Sequence, residues 1–114
     1  MASNICKQYN KLVRDRIPEI IESKGDSCKT RILCQKEYTS ELDRKLNEEL
    51  AEHQESKSLE ELADMLEVMM AITKARGYDW SAVIELQEKK REERGGFDRK
   101  VFLEETATPC IEQD

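Results

Sequence analysis

An all-α fold, an antiparallel helical bundle, is what this sequence predicts, and three observations carry the prediction. Apolar residues recur every three to four positions through residues 40–76, as one face of a helix requires. Residues that start and stop helices punctuate the same region: Ser40, Ser58 and Asp79 at the starts, Gly77 and Gly95-Gly96 at the ends. Only Lys57 and its immediate neighbours separate the first two segments, so their helices must double back as antiparallel neighbours.

Asp15-Arg16-Ile17-Pro18 opens a short first helix, because proline is tolerated in a first turn whose amide has no partner in any case. Gly25 closes it after Ile20 and Ile21. Thr30-Arg31-Ile32-Leu33-Cys34 and Arg99-Lys100-Val101-Phe102-Leu103 are short and β-prone, and together they can form a small two-stranded ribbon. Ser40 caps a helix running to about Ser56, Ser58 a second to about Arg76, and Asp79 a third long one ending at Gly95-Gly96. Residues 106–114 contain Pro109, carry no amphipathic period and read as a loose tail, which leaves a single helical domain over 1–105.

With 114 residues the chain has room for one modest core. A net charge of -6 argues against a long nucleic acid as partner, since such a surface does not attract a phosphate backbone from a distance. A small phosphorylated ligand reached through a metal stays open. No apolar run approaches membrane-spanning length, and Met1-Ala2-Ser3-Asn4-Ile5-Cys6-Lys7 lacks the apolar region of a signal peptide, so a cytoplasmic location is expected. Cys6, Cys28, Cys34 and Cys110 have no Cys-x-x-Cys spacing and His53 is the one histidine, which gives a tetrahedral zinc site little support. Free thiols suit a reducing compartment. His53, beside Glu52, reads as a polar cap on a helix face or as a group supporting a neighbouring site.

The chemistry of the chain concentrates in Glu49-Leu50-Ala51-Glu52 and Glu61-Leu62-Ala63-Asp64. Each acid pair has the three-residue spacing that stacks side chains on one helical face. At about 100° per residue, Glu49 falls inside the stripe of Leu42, Leu46, Leu50 and His53. Met65, Val68, Met69 and Ile72 surround Glu61, while Asp64 lies near Ala71 and Ala75. An ionised carboxylate on a buried face needs a compensating cation. Neither Lys nor Arg is read on those arcs, so Mg2+ or Mn2+, both of which prefer oxygen ligands, is the expected counter-charge. Against this stands the plain alternative of solvated helix surface, in which Ser58 and Glu61 form a capping box and Glu61 bonds back to the Ser58 amide.

The apolar arc of the 58–76 helix covers more than half its circumference, wider than one antiparallel partner can bury. A bundle completed by a second copy of the chain, a homodimer or larger, is expected. Cations cluster in Lys11-Leu12-Val13-Arg14-Asp15-Arg16 and in Lys89-Lys90-Arg91-Glu92-Glu93-Arg94, where Lys90 and Arg94 lie one turn apart. Such a pair can aim two donors at a phosphate or simply favour the C-terminal end of the helix dipole.

Tyr9-Asn10-Lys11-Leu12-Val13-Arg14-Asp15-Arg16-Ile17-Pro18, Glu48-Glu49-Leu50-Ala51-Glu52, Glu61-Leu62-Ala63-Asp64-Met65-Leu66-Glu67-Val68 and Arg94-Gly95-Gly96-Phe97 occur in that order. Through them the chain resembles the MazG-like, all-α nucleoside triphosphate pyrophosphohydrolases, and among these the phosphoribosyl-ATP pyrophosphohydrolase-like branch, over about residues 9 to 105. The resemblance implies a Mg2+ site of Glu49, Glu52, Glu61 and Asp64. It also implies hydrolysis of a nucleoside triphosphate or related nucleotide between the α and β phosphates, to a monophosphate and pyrophosphate. Glu48 is then placed to orient or deprotonate the attacking water, a role that a metal-activated water would fill equally well. Lys11, Arg14, Lys90 and Arg94 are the candidates for gripping the phosphates. Tyr9 and Phe97 stack on a base or pack in the core. Two rivals remain: a non-catalytic helical interaction module that keeps the fold, and a dUTPase-like preference within the same superfamily.

Overall fold

The computed structural model describes residues 5–110. Within them the chain is all-helical, with α1 (Ile17–Ser23), α2 (Gln35–Ser56), α3 (Leu59–Ala75) and α4 (Trp80–Arg94) and no strand. The ribbon expected from 30–34 and 99–103 is therefore corrected: both segments are irregular, and Ile32, Val101, Phe102 and Leu103 are exposed. β-prone side chains form a strand only where a partner and a packed face await them, and here they have neither. The expected tail is irregular and exposed as far as Cys110; residues 111–114, like 1–4 at the start, lie outside the described residues.

The helix boundaries follow local chemistry. Pro18 sits in the first turn of α1, and Gly25 adopts a positive φ of 95° just beyond its end. The helix α2 begins at Gln35, five residues before the expected Ser40. Cys34, in extended conformation, is its N-cap, and the Cys34 thiol donates to Glu37 Oε1 at 3.4 Å. Glu37 also carries negative charge into the first turn, where the helix dipole favours it. Lys57 ends α2 in the left-handed region at φ 56°, and its amide donates to the His53 carbonyl at 2.7 Å. That single left-handed residue reverses the chain, Ser58 caps α3 in extended conformation, and α3 packs back along α2 as the sequence predicts. Gly77 (φ 82°) and Gly95 (φ 83°) lie just past α3 and α4, where a residue with a side chain would be strained.

The chain divides into two compact units between Trp80 and Ser81. The first holds α1 and the α2–α3 hairpin. Its buried apolar residues are Leu42 and Val68, and Glu49 is buried as well. The second contains most of α4, and in it Arg91 reaches Asp98 at 4.0 Å. Among the described residues no helix is long and apolar enough to cross a membrane.

Candidate functional site

Both acid pairs lie on the hairpin, at matching levels. Glu52 stands five residues before Lys57 and Glu61 four after it, with Glu49 and Asp64 each one turn further from the bend. Glu49 is the most deeply placed, at 5% exposure. One of its oxygens, Oε2, is buried and accepts no hydrogen bond. Burial pushes the Glu49 carboxyl above the usual carboxylate range, and the neighbouring Glu52 carboxylate pushes it further the same way. Glu61 and Asp64 are half-buried on α3, and Glu52 is exposed.

The expectation that no cation serves these acids is corrected. Lys45, one turn before Glu49 and only 17% exposed at its side chain, brings Nζ within 3.4 Å of Glu49 Oε1 and 3.6 Å of Glu48 Oε1. Helical periodicity does not reveal this contact, because a long amphipathic side chain can lie along an apolar stripe with its charge at the edge. Its signal in the sequence was the four-residue spacing to Glu49.

Two further cations come from the N-terminal arm. The Lys11 ammonium donates to Glu48 Oε1 at 3.2 Å, and the Arg14 guanidinium donates to Asp64 Oδ1 at 2.7 Å. Burial pushes Glu48 upward, but Lys11 and Lys45 together outweigh it and hold this carboxyl below the usual range. Glu61 accepts a hydrogen bond from the Ser58 hydroxyl. This differs from the capping box considered above, because the Ser58 amide meets Ser56 Oγ at 3.4 Å instead. His53 is half-buried, with an unpartnered Nδ1.

The structure thus brings Lys11, Arg14, Glu48, Glu49 and the α3 acids onto one hairpin. Lys90 and Arg94 lie one turn apart on α4, exposed, in the second unit. Tyr9 is exposed in the first unit, with the Lys7 and Lys11 ammoniums 5.1 and 5.9 Å from its ring centroid. Phe97 is exposed in the second.

A divalent cation fits the chemistry of the donor set. Four carboxylates supply the hard oxygen ligands that Mg2+ and Mn2+ prefer, and the orphaned Glu49 oxygen is the kind of buried acceptor that a cation satisfies. Among the described residues, however, no three His, Cys, Asp or Glu side chains are gathered in metal-holding geometry. Arg14 holds Asp64 and Ser58 holds Glu61, so both α3 carboxylates must turn from protein partners to reach a shared ion.

No family model matches the chain, and no solved structure does. Over 41 residues it is 54% identical to an uncharacterized protein of Mycolicibacterium smegmatis, a stretch amounting to 36% of this chain and 42% of that protein.

Proposed function

We propose that this chain is a divalent-metal-dependent nucleotide pyrophosphohydrolase that cleaves a nucleoside triphosphate or related nucleotide between its α and β phosphates. The observation that carries the reading is Glu49, a carboxylate buried to 5% exposure with an orphaned oxygen and a second carboxylate beside it. Lys45 meets only the other oxygen at 3.4 Å and does not offset the burial and the Glu52 charge, so a further cation would relieve the arrangement.

Glu49, Glu52, Glu61 and Asp64 would hold Mg2+, or Mn2+ in its place. When bound, the metal supplies positive charge against the phosphate oxygens on which negative charge gathers during in-line displacement. Lys11 and Arg14 already reach Glu48 and Asp64, and each can exchange its carboxylate for a phosphate oxygen of the nucleotide. That exchange has a chemical consequence. With Lys11 drawn away, Glu48 loses one of the two ammoniums that depress its carboxyl, and it becomes a better acceptor for the proton of an attacking water. Lys90 and Arg94, exposed one turn apart on α4 of the second unit, are a separate pair of cations with the spacing to meet a phosphate.

A second reading, a non-catalytic helical module that binds a partner protein, is favoured by the exposure of Leu62, Leu66, Met69 and Met70, each between 39% and 49% exposed. The Glu61→Gln variant separates the two. In the enzyme, the metal-dependent rise in melting temperature shrinks and pyrophosphate release from a nucleotide panel falls more than about hundredfold, because a neutral amide is a poor ligand for a hard cation. Retained metal response with retained hydrolysis would remove Glu61 from the site. Wild-type protein that releases no pyrophosphate from any nucleotide, with Mg2+ or Mn2+, would favour the binding module.

A further inference from the structure

Between the N-terminal arm and the middle of α2 lies a cleft of about 120 Å³, lined by Tyr9, Lys11, Glu41, Arg44, Lys45 and Glu48 among others. In a chain of net charge -6, this small space collects three cations against two carboxylates. Lys7, over the Tyr9 ring at 5.1 Å, adds a fourth positive charge nearby. The volume is well below the roughly 300 Å³ at which pockets begin to enclose a drug-sized molecule, so the cleft suits a compact anion and not a nucleoside.

Lys11 is hydrogen-bonded to Glu48 at 3.2 Å and Lys45 reaches Glu49 at 3.4 Å, but the remaining contacts in the cleft are looser. Arg44 meets Glu41 at 3.7 Å, and Lys45 meets Glu48 at 3.6 Å, both longer than a hydrogen bond. Arg44 is also 70% exposed at its side chain, so its planar donors are available to an incoming oxyanion. The floor of the cleft is shared with the acids, because Glu48 lines it and Lys45 continues to Glu49.

We propose that this cleft is a pyrophosphate subsite, with Arg44 and Lys45 joining Lys11 as its donors. Which phosphates it holds rests on the pyrophosphohydrolase reading: the two distal phosphates of the nucleotide lie in the cleft, and the scissile bond faces the carboxylates of α2.

The test is a calorimetric titration of the full chain with inorganic pyrophosphate in EDTA, where no metal binds and no turnover occurs. Arg44→Gln should weaken pyrophosphate binding about tenfold, the scale of a lost charge-assisted contact. Arg31→Gln, which removes an equally exposed cation paired with Glu37 outside the cleft, should change it less than about twofold. A nucleoside monophosphate should not displace pyrophosphate. Equal losses in the two variants, no binding to wild type, or displacement by the monophosphate would each overturn the assignment. The outcomes are separable from those for catalysis. Pyrophosphate binding with the Arg44 effect but no nucleotide hydrolysis keeps the subsite and rejects the enzyme. Hydrolysis without the Arg44 effect does the reverse.

Discussion

Glu49 sets the energetics of the hairpin. As pH rises, the carboxyl in the unfolded chain ionises first, while in the folded chain burial and the Glu52 carboxylate keep the proton on. Over that window the native state binds more protons, so this residue's contribution to stability falls as pH increases. Glu48, held low by Lys11 and Lys45, contributes in the opposite sense: its stabilisation is present at neutral pH and lost on acidification. The Glu49→Gln variant retains Glu48, so comparison with wild type isolates the first effect. Without metal, the variant should melt higher than wild type at about pH 7, and the gap should close on acidification to below about pH 4, where position 49 of wild type is protonated in the folded and unfolded states alike. Thermal melts in EDTA across that range would show it; a gap that widened on acidification would contradict the assigned shift. The intrusion of Glu49 into an apolar stripe was legible from its position among Leu42, Leu46 and Leu50. Lys45 was not, because helical periodicity describes where a side chain starts and says little about where four methylenes carry its charge.

At the scale of elements, the α2–α3 hairpin was legible because its stop and start signals, Lys57 and Ser58, act locally. The start of α2 was placed too late, since Ser40 is a good cap by type while Cys34 works only through its conformation and its contact with Glu37. The docking of the N-terminal arm on the acids was illegible for a related reason. The Arg14–Asp64 pair joins residues fifty positions apart, and no periodicity reports such a contact. That pair makes a prediction of its own. If Asp64 holds a metal as proposed, Arg14 would compete for it, but at 56% and 40% side-chain exposure the pair is screened and worth at most about 1 kcal/mol. Arg14→Gln should therefore raise Mn2+ affinity in the absence of nucleotide by up to about fivefold, while kcat/KM for the nucleotide falls. Titration of free Mn2+ by electron paramagnetic resonance reads the first effect and pyrophosphate release the second. A variant that binds Mn2+ more weakly would show that Arg14 supports the metal site and does not oppose it.

For the whole molecule, the decisive quantity is how little apolar surface one chain buries. Leu42 and Val68 are its buried apolar residues among those described, whereas Leu50 of α2 and Leu62, Leu66, Met69 and Met70 of α3 remain exposed. Each such side chain would contribute about 1.5–3 kcal/mol if fully buried, so a surface that covered even part of this face would contribute several. A second copy of the same chain would supply a matching face through two-fold symmetry, and that is the occupant proposed for it. The wide apolar arc of residues 58–76 carries the same expectation at the level of sequence. Light scattering at micromolar concentration should report a dimer or larger assembly. Placing charge at the centre of the face, as in Leu66→Glu, should shift the population to monomer and lower the melting temperature, since an unpaired carboxylate would have to be buried in the interface. If wild type is a monomer that stays folded on dilution and Leu66→Glu melts at the same temperature, the face is not a subunit interface. The exposed leucines and methionines would then support the partner-binding reading over the enzyme.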